Sequence, residues 1–213
     1  MPRAMETRRT GGARVIVRRV HLWLSLTLGA LFGLAGITGS ALVFYPEIDR
    51  ALHPALRQVE AGARPPSWEA VYQALRRDHP QRTGAWRIEV TSDGGPVPVR
   101  YYKPVESKER DFAPLMLWVD PTTLRTVRSE FWGDYLVTWI YDLHYRLLLE
   151  KPGAMVMGVA GIVMLLILAS GLWAWWPRPG TWRRALRFKR EAAPLRRLYD
   201  QHKVAGLLGL VPL

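Results

Sequence analysis

Two long apolar stretches stand out from an otherwise mixed pattern of hydrophobic and polar positions. Residues 20–45 contain no Asp, Glu, Lys or Arg, and the same is true of residues 153–176. As helices rising about 1.5 Å per residue, the stretches reach roughly 39 and 36 Å, which is enough to cross a bilayer. A core helix of a soluble protein rarely stays apolar on every face over such a length. The pattern therefore predicts two transmembrane helices.

The first apolar stretch is a retained anchor rather than a cleaved signal peptide. It is much longer than the apolar region of about 7–15 residues in a signal peptide, and it runs into Tyr45-Pro46-Glu47 instead of a small-residue cleavage site. A third apolar stretch begins at His202, and its part from Val204 to Leu213 is about 15 Å long as a helix, half a bilayer. We interpret residues 202–213 as the start of a third transmembrane helix. Either the chain is a shortened form of a longer protein, or a partner supplies the rest.

The net charge of +12 is distributed unevenly along the chain. Residues 1–19 carry six Arg and one Glu, residues 46–152 carry 15 basic and 15 acidic residues, and residues 177–213 carry nine basic and two acidic residues. By the positive-inside rule, both basic flanks are cytoplasmic and residues 46–152 lie outside. In a bacterium this predicts a multi-pass inner-membrane protein with a periplasmic domain. The basic clusters are topology signals and contacts to lipid headgroups rather than a nucleic-acid site.

The predicted outer domain, residues 46–140, has the pattern of a small α+β unit. Residues 67–79 form an amphipathic helix, with Ser67 as N-cap and an apolar face made by Trp68, Val71, Tyr72 and Leu75. Short runs rich in Val, Ile, Tyr and Trp follow, and turn residues separate them. These runs predict an antiparallel meander of four strands: 86–90, 97–103, 114–119 and 124–127. The predicted fold class is an α-helical transmembrane bundle, with two full spans and a partial third, carrying this domain between spans one and two.

The predicted organisation of the chain follows from these elements. It comprises a cytoplasmic basic N-terminus (1–19), transmembrane helix 1 (20–45), the periplasmic domain (46–140), a juxtamembrane helix with transmembrane helix 2 (141–176), a cytoplasmic basic loop (177–201) and the start of a third transmembrane helix (202–213).

The outer domain shows no pattern typical of catalysis. Its acidic residues form no paired-carboxylate or metal-ligand spacing, and it has neither a serine nucleophile elbow nor a glycine-rich phosphate loop. The chain has no Cys, which excludes disulfides, iron–sulfur clusters and covalent c-type haem attachment. The evident tasks of the domain are folding and binding.

Histidines near the membrane edges are the strongest candidates for chemistry. His21 lies at the cytoplasmic end of span one, His202 at the cytoplasmic end of the third segment, and His144 about two turns before span two. His21 shares a helix face with Gly29, Gly33, Gly36 and Gly39, and His202 shares a face with Ala205, Gly206 and Gly209. Two imidazoles at the same membrane depth could ligate one haem iron axially, and b-type haem needs no Cys. Interfacial histidines that contact headgroups, and ordinary glycine packing between helices, explain the same pattern.

The two remaining histidines have plainer interpretations. His79 precedes Pro80 at the end of the predicted helix 67–79, where a capping or solvent-exposed role is favoured over a ligand role. His53 lies in the triplet Leu52-His53-Pro54, which is typical of a helix end, although His53 could in principle face His144 from the outer side. Helical phase cannot be carried from His144 into span two, since Pro152-Gly153 is expected to break the helix.

Four segments together resemble the PepSY-associated transmembrane family, which usually has four membrane helices. They cover nearly all of the chain after residue 18 and include GITGSALVFYPEIDRALHP and DLHYRLLLEKPG. The segments are residues 18–54, 117–127, 142–177 and 198–210. The resemblance implies an inner-membrane protein with a periplasmic PepSY-like domain. Some members resemble haem-containing reductases that pass electrons to ferric siderophores in the periplasm.

Carried over to this chain, the resemblance implies a cytoplasmic-side haem b held by His21 and His202 through the iron. It implies an outer-side haem held by His144, whose partner would lie in a missing C-terminal part. The expected function is to move electrons across the membrane to a periplasmic acceptor such as a ferric siderophore, which would make the chain a component of a haem-dependent ferric reductase. The alternative is a non-catalytic, membrane-anchored PepSY binding module, or an accessory subunit of a larger membrane complex. Its partner would then be a membrane or periplasmic protein, besides the lipid bilayer.

Overall fold

The computed structural model describes residues 3–91, 94–187 and 193–209, with side chains from residue 12 onward except that of Arg184. Residues 188–192 of the predicted basic loop and residues 210–213 of the predicted third helix lie outside the described residues. The chain divides into two compact units: Met1–Gly33 with Gly158–Leu213, and Leu34–Met157.

Among the described residues, two helices are long and apolar enough to cross a membrane. Helix α1 spans Arg3–Leu42, and within it Gly12–Leu42 has a mean hydropathy of 1.7. Helix α6 spans Glu150–Trp175 with a mean hydropathy of 2.5. The two apolar helices expected from the sequence are therefore present, although α1 begins well before residue 20. Their side chains remain largely exposed in the isolated chain, which is how a lipid-facing surface differs from the core of a soluble protein.

The second unit contains the α+β domain. Three helices precede its sheet: α2 (Tyr45–Leu52), α3 (Pro54–Arg57) and α4 (Trp68–Asp78). The sheet has the order β1-β2-β3-β4 with every neighbouring pair antiparallel, as expected for a meander. Its strands are β1 (Trp86–Ile88), β2 (Val97–Tyr101), β3 (Leu115–Val119) and β4 (Thr126–Phe131).

Helix α4 covers one face of the sheet. Ser67 caps it by accepting a hydrogen bond from the backbone N–H of Ala70, as the sequence predicted. Val71 and Leu75 are buried against β2 and β3. Trp68 and Tyr72, which the sequence placed on the same face, are instead 41% and 37% exposed. The predicted apolar face is therefore correct for Val71 and Leu75, but it wrongly includes Trp68 and Tyr72 as buried residues.

The other face of the sheet packs on α3 and on the chain that follows β4. Strand β3 is buried on both faces, so Met116 and Trp118 project away from α4 into a second apolar cluster. Leu56 of α3 belongs to the same cluster, together with Trp132 and Tyr135. The cluster joins the helices that follow α1 to the sheet, and so gives the second unit its second layer.

Strand β4 begins later than the sequence pattern predicted. The turn at Asp120 extends through Arg125, and Leu124 adopts a left-handed conformation with φ of 56°. Such a residue cannot continue a strand, so pairing starts at Thr126 and runs to Phe131. The expected strand at 124–127 is therefore wrong in its bounds.

Helix α5 spans Leu136–Arg146 and carries His144. The break between α5 and α6 lies at residues 147–149, where Leu147 and Leu148 are both left-handed. Pro152 lies in the first turn of α6, where a proline is tolerated because its missing N–H would be unpaired anyway. The sequence placed this break at Pro152-Gly153, which is incorrect by a few residues.

Two helices follow α6 in the first unit. Helix α7 covers Trp182–Ala185, and helix α8 covers Pro194–Leu208. Pro194 occupies the start of α8, so the helix that carries His202 begins eight residues before that histidine. The helix therefore includes charged residues that precede the predicted third span.

Candidate functional site

His21 and His202 lie side by side in the first unit. Their ring centroids are 6.0 Å apart, and the ring planes meet at 69°. His21 is half-buried on α1, whereas His202 is exposed on α8. The structure therefore brings together the two histidines that the sequence proposed as a ligand pair.

The two rings line a mainly apolar cavity of about 240 Å³. Gly171 of α6 and Gly206 of α8 leave its walls without side chains at two points. Its basic residues are Arg18 and Lys203. The remaining lining residues are Ile167, Leu168, Leu172, Ala174, Trp175, Tyr199 and Leu207. The cavity combines apolar walls, two imidazoles and two cations.

Hydrogen bonds determine which ring nitrogen of His21 carries the proton. Its Nδ1 lies 3.1 Å from the carbonyl oxygen of Ile167 and 3.0 Å from Oγ of Ser170. A carbonyl oxygen only accepts hydrogen bonds, so Nδ1 must carry the proton. The Ser170 hydroxyl donates to the same Ile167 carbonyl at 2.9 Å, which leaves its oxygen free to accept from His21. In the neutral ring, Nε2 is then the atom with the free lone pair.

Gly171 allows the His21 ring to approach α6. A Cβ at this position would lie 2.9 Å from Cε1 of His21, closer than side-chain packing permits. The position therefore tolerates only a glycine while the ring keeps its place.

His144 has a similar environment in the second unit. Its Nδ1 lies 3.0 Å from Oγ1 of Thr38, whose hydroxyl donates to the carbonyl oxygen of Leu34 at 2.8 Å. A threonine hydroxyl has a single proton, so while Thr38 donates it to Leu34, its oxygen accepts from Nδ1–H of His144 and the lone pair of the neutral ring is on Nε2. A Cβ at Gly39 would lie 3.0 Å from Cε1 of this ring. Within the described ranges no second histidine ring contacts His144.

The other two histidines, His53 and His79, lie at helix ends and contact neighbouring residues of the α+β domain. His53 lies between α2 and α3. Its Nδ1 lies 2.8 Å from the backbone oxygen of Asp49 and 3.1 Å from the carboxylate of the same residue. His79 is the C-cap of α4, as the sequence predicted, and it stacks near Trp86. Burial lowers the pKa of His79, and the nearby Arg82 lowers it further. His53 contacts Asp49 and Tyr135 rather than His144.

A buried ion pair adjoins the His21–His202 cavity and was missed from the sequence. Asp200 is fully buried and Lys203 is 8% exposed, with 2.9 Å between Nζ and Oδ1. Lys203 also donates to the backbone oxygen of Arg187 at 3.3 Å, and Arg196 lies 3.5 Å from the Asp200 carboxylate. The i, i+3 spacing of Asp200 and Lys203 on one helix could have indicated the pair. This pair keeps Lys203 at the wall of the cavity.

The hydroxyl partners of the histidines were also missed. A hydroxyl residue followed by glycine occurs in both apolar helices, as Thr38-Gly39 and Ser170-Gly171. That repeated dipeptide was the available signal. Among the described residues, no group of three or more His, Asp or Glu could hold a metal ion.

The chain matches a protein family. The family model described as the PepSY-associated TM region matches residues 18–213. The matched range includes α1 from residue 18 onward, all of α6, the sheet and all five histidines. No curated protein matches the chain.

Proposed function

The chain belongs to the PepSY-associated transmembrane family, and we propose that it is an inner-membrane protein that binds haem b and moves electrons across the membrane. In this proposal His21 and His202 ligate one haem iron on the cytoplasmic side. The acceptor is periplasmic and has the chemistry of a ferric siderophore. Bound haem would supply one-electron redox chemistry, while the chain supplies ligands, spacing and polarity.

The observation that carries the proposal is the His21–His202 pair. The ring centres lie 6.0 Å apart, so His21 and His202 could each supply a nitrogen to one haem iron bound between them. The hydrogen bonds of His21 also leave Nε2 with the lone pair that a ligand needs.

The cavity has the polarity that haem requires. Its apolar walls match a porphyrin face, and Arg18 could pair with a propionate, whereas Lys203 is already paired with the buried Asp200. Its volume of about 240 Å³ is below the roughly 300–1,000 Å³ of typical cofactor sites, so the ring would extend beyond it toward lipid or another helix. His202 is exposed in the isolated chain, as expected if part of the site is formed by what surrounds it.

We extend the proposal to a second haem on the periplasmic side. Nδ1 of His144 also contacts a hydroxyl, and its ring lies against a glycine as that of His21 does. His144 would supply one histidine ligand to that haem. Electrons would then pass from the cytoplasmic or quinol side near His21 to an acceptor near the α+β domain. Residues 46–152 are periplasmic in this arrangement, and residues 202–213 begin a third span of the bundle.

The decisive test is the absorption spectrum of the chain purified in mild detergent, with and without added haemin. We expect a b-type band in the dithionite-reduced minus oxidised spectrum. His21→Ala and His202→Ala should each abolish the low-spin spectrum of the cytoplasmic-side haem. His79→Ala is the matched control, since His79 caps a helix of the α+β domain, and it should leave the spectrum unchanged.

A wild-type chain that shows no Soret band after incubation with haemin would overturn the proposal. So would a spectrum that survives both substitutions. The membrane-anchored binding module expected as the alternative from the sequence would then become the better account.

A further inference from the structure

We propose that Thr38-Gly39 and Ser170-Gly171 are positioning pairs for the candidate haem ligands His144 and His21. In each pair the hydroxyl holds the proton on Nδ1, and the glycine admits the ring so that Nε2 keeps its lone pair for a metal. The inference rests on the proposed function, because it assigns the histidines a ligand role. It concerns residues that neither the sequence pattern nor the family match assigns.

At His21 the geometry permits only one ring protonation. The Ile167 carbonyl oxygen, 3.1 Å from Nδ1, has no proton to donate. The Ser170 hydroxyl donates its proton to the same carbonyl. Its oxygen, which lies 3.0 Å from Nδ1 of His21, can therefore only accept a hydrogen bond from that nitrogen. Both contacts therefore require Nδ1–H. In free imidazole side chains in water the other neutral form predominates, so a hydrogen-bonded partner is needed to hold this one.

At His144 a single hydroxyl contacts Nδ1, and we infer that it accepts from Nδ1–H there. Thr38 donates to the Leu34 carbonyl at 2.8 Å, and its oxygen lies 3.0 Å from Nδ1 of His144. Thr38 is itself 6% exposed, so water has little access to compete for the contact. No other hydrogen-bond partner of the His144 ring occurs in the described part of the chain. Replacing Thr38 should therefore have a larger effect than replacing Ser170, which leaves the Ile167 carbonyl in place.

The glycine beside each hydroxyl fixes how far the ring enters. Added Cβ atoms at Gly39 and Gly171 would lie 3.0 and 2.9 Å from Cε1 of the respective rings. By contrast, a Cβ at Gly29, Gly33 or Gly36 would meet nothing within 4 Å. Among the described glycines of α1 and α6, Gly39 and Gly171 are the two whose added Cβ would meet a histidine ring. The same arrangement arises twice, in different units and on different helices.

The chemical consequence follows from the ligand role. A hydrogen bond from Nδ1–H to oxygen makes the imidazole a stronger donor at Nε2 and keeps the ring oriented. Loss of such a partner typically weakens metal binding 10–100-fold. A weaker donor stabilises oxidised iron less, so the midpoint potential of the haem should rise.

The first test compares haem binding among hydroxyl variants in the full chain. Thr38→Val and Ser170→Ala should weaken haem retention about 10–100-fold and raise the midpoint potential, with the larger change for Thr38→Val. Thr38→Ser and Ser170→Thr keep the oxygen and should restore wild-type values. Thr27→Val and Ser40→Ala are matched controls, because their hydroxyls bond only to helix carbonyls of Trp23, Leu24 and Gly36 in the described structure.

The second test needs no haem. The ¹⁵N NMR shifts of histidine-labelled protein in detergent distinguish Nδ1–H from Nε2–H directly, with His21→Gln and His144→Gln to assign the signals. We expect Nδ1–H at His21 and His144 in the wild type, and a shift toward the Nε2–H form in Thr38→Val. An Nε2–H form at either histidine in the wild type would overturn this inference while leaving the haem proposal standing. A wild-type chain that shows Nδ1–H but takes up no haemin would instead overturn the proposed function.

The same measurements distinguish a positioning role of the hydroxyls from a purely structural one. If they only stabilised the helices, Thr38→Val and Thr27→Val would have equal effects, and neither would change the potential of retained haem. Equal effects in the two variants would therefore overturn the inference.

Discussion

At the scale of single residues, Arg128 of the α+β domain is held by several contacts at once. Its guanidinium donates to both carboxylate oxygens of Asp49 at 2.9 Å and to Glu130 at 2.9 Å. It also lies 4.2 Å from the ring centre of Trp118 and 4.4 Å from that of Tyr135. Asp49 and Arg128 are 3% and 7% exposed. The pair links helix α2 to strand β4, so it connects the chain leaving α1 to the sheet.

Asp49→Asn should strongly destabilise this domain. The substitution leaves the buried Arg128 with Glu130 as its remaining carboxylate, and breaking a buried pair typically costs about 3–5 kcal/mol. Chemical unfolding in detergent, followed by tryptophan fluorescence, measures the change. Glu106→Gln is the control, since the Glu106 side chain that pairs with Arg82 is 53% exposed and its substitution should cost less than about 1 kcal/mol. Equal losses in the two variants would show that Arg128 does not depend on Asp49.

At the scale of elements, the junction between α5 and α6 follows His144 closely and so helps to determine the position of its side chain. The N–H of Leu147 bonds to the carbonyl of Leu143, which is the bond of a helix end closed by one left-handed residue, and the N–H of Leu148 bonds back to the carbonyl of Asp142. Such caps usually have glycine in the left-handed position, whereas here Leu147 and Leu148 have φ of 55° and 58°. The junction is therefore built with leucines at a cost in backbone strain.

Leu148→Gly should stabilise the chain by about 1 kcal/mol. A left-handed non-glycine residue costs roughly 1–2 kcal/mol, and Leu148 is 44% exposed, so little packing is lost. Leu136→Gly is the matched control: this leucine is 49% exposed at the start of α5, where glycine should destabilise by about 1 kcal/mol. Thermal unfolding followed by circular dichroism measures both. A lower melting temperature for Leu148→Gly than for the wild type would contradict the expected strain.

Some helices and strands could be predicted from the sequence, and others could not. Strands β1–β3 and helix α4 were recognisable, because alternation and an N-cap are local signals. The start of β4 and the α5–α6 break were misplaced, since both depend on leucines in left-handed conformations that no local preference indicates. The contacts of Ser170 with His21 depend on how α6 is rotated about its axis. A helix that is apolar on all sides carries no periodicity that predicts that rotation.

At the scale of the whole chain, charge and hydropathy lead to a proposed orientation. The excess of basic residues lies entirely in 1–19 and 177–213, whereas residues 46–152 carry 15 basic and 15 acidic residues. A bias confined to segments next to the spans is the kind that determines orientation during insertion. The proposed electron path has the same polarity, because it needs His21 and His202 on the cytoplasmic side and the α+β domain facing the periplasm.

Cysteine labelling tests this orientation directly, because the native chain has no Cys and each introduced thiol is unique. Val105→Cys in the α+β domain and Leu195→Cys at the start of α8 are suitable, being 78% and 80% exposed. In intact cells with a permeable outer membrane, a membrane-impermeant maleimide should label Val105→Cys, and Leu195→Cys only after the inner membrane is disrupted. Labelling of both after disruption is the control that the thiols are reactive. The reverse pattern would invert the topology, place the His21–His202 pair outside, and remove the periplasmic acceptor from the proposed function.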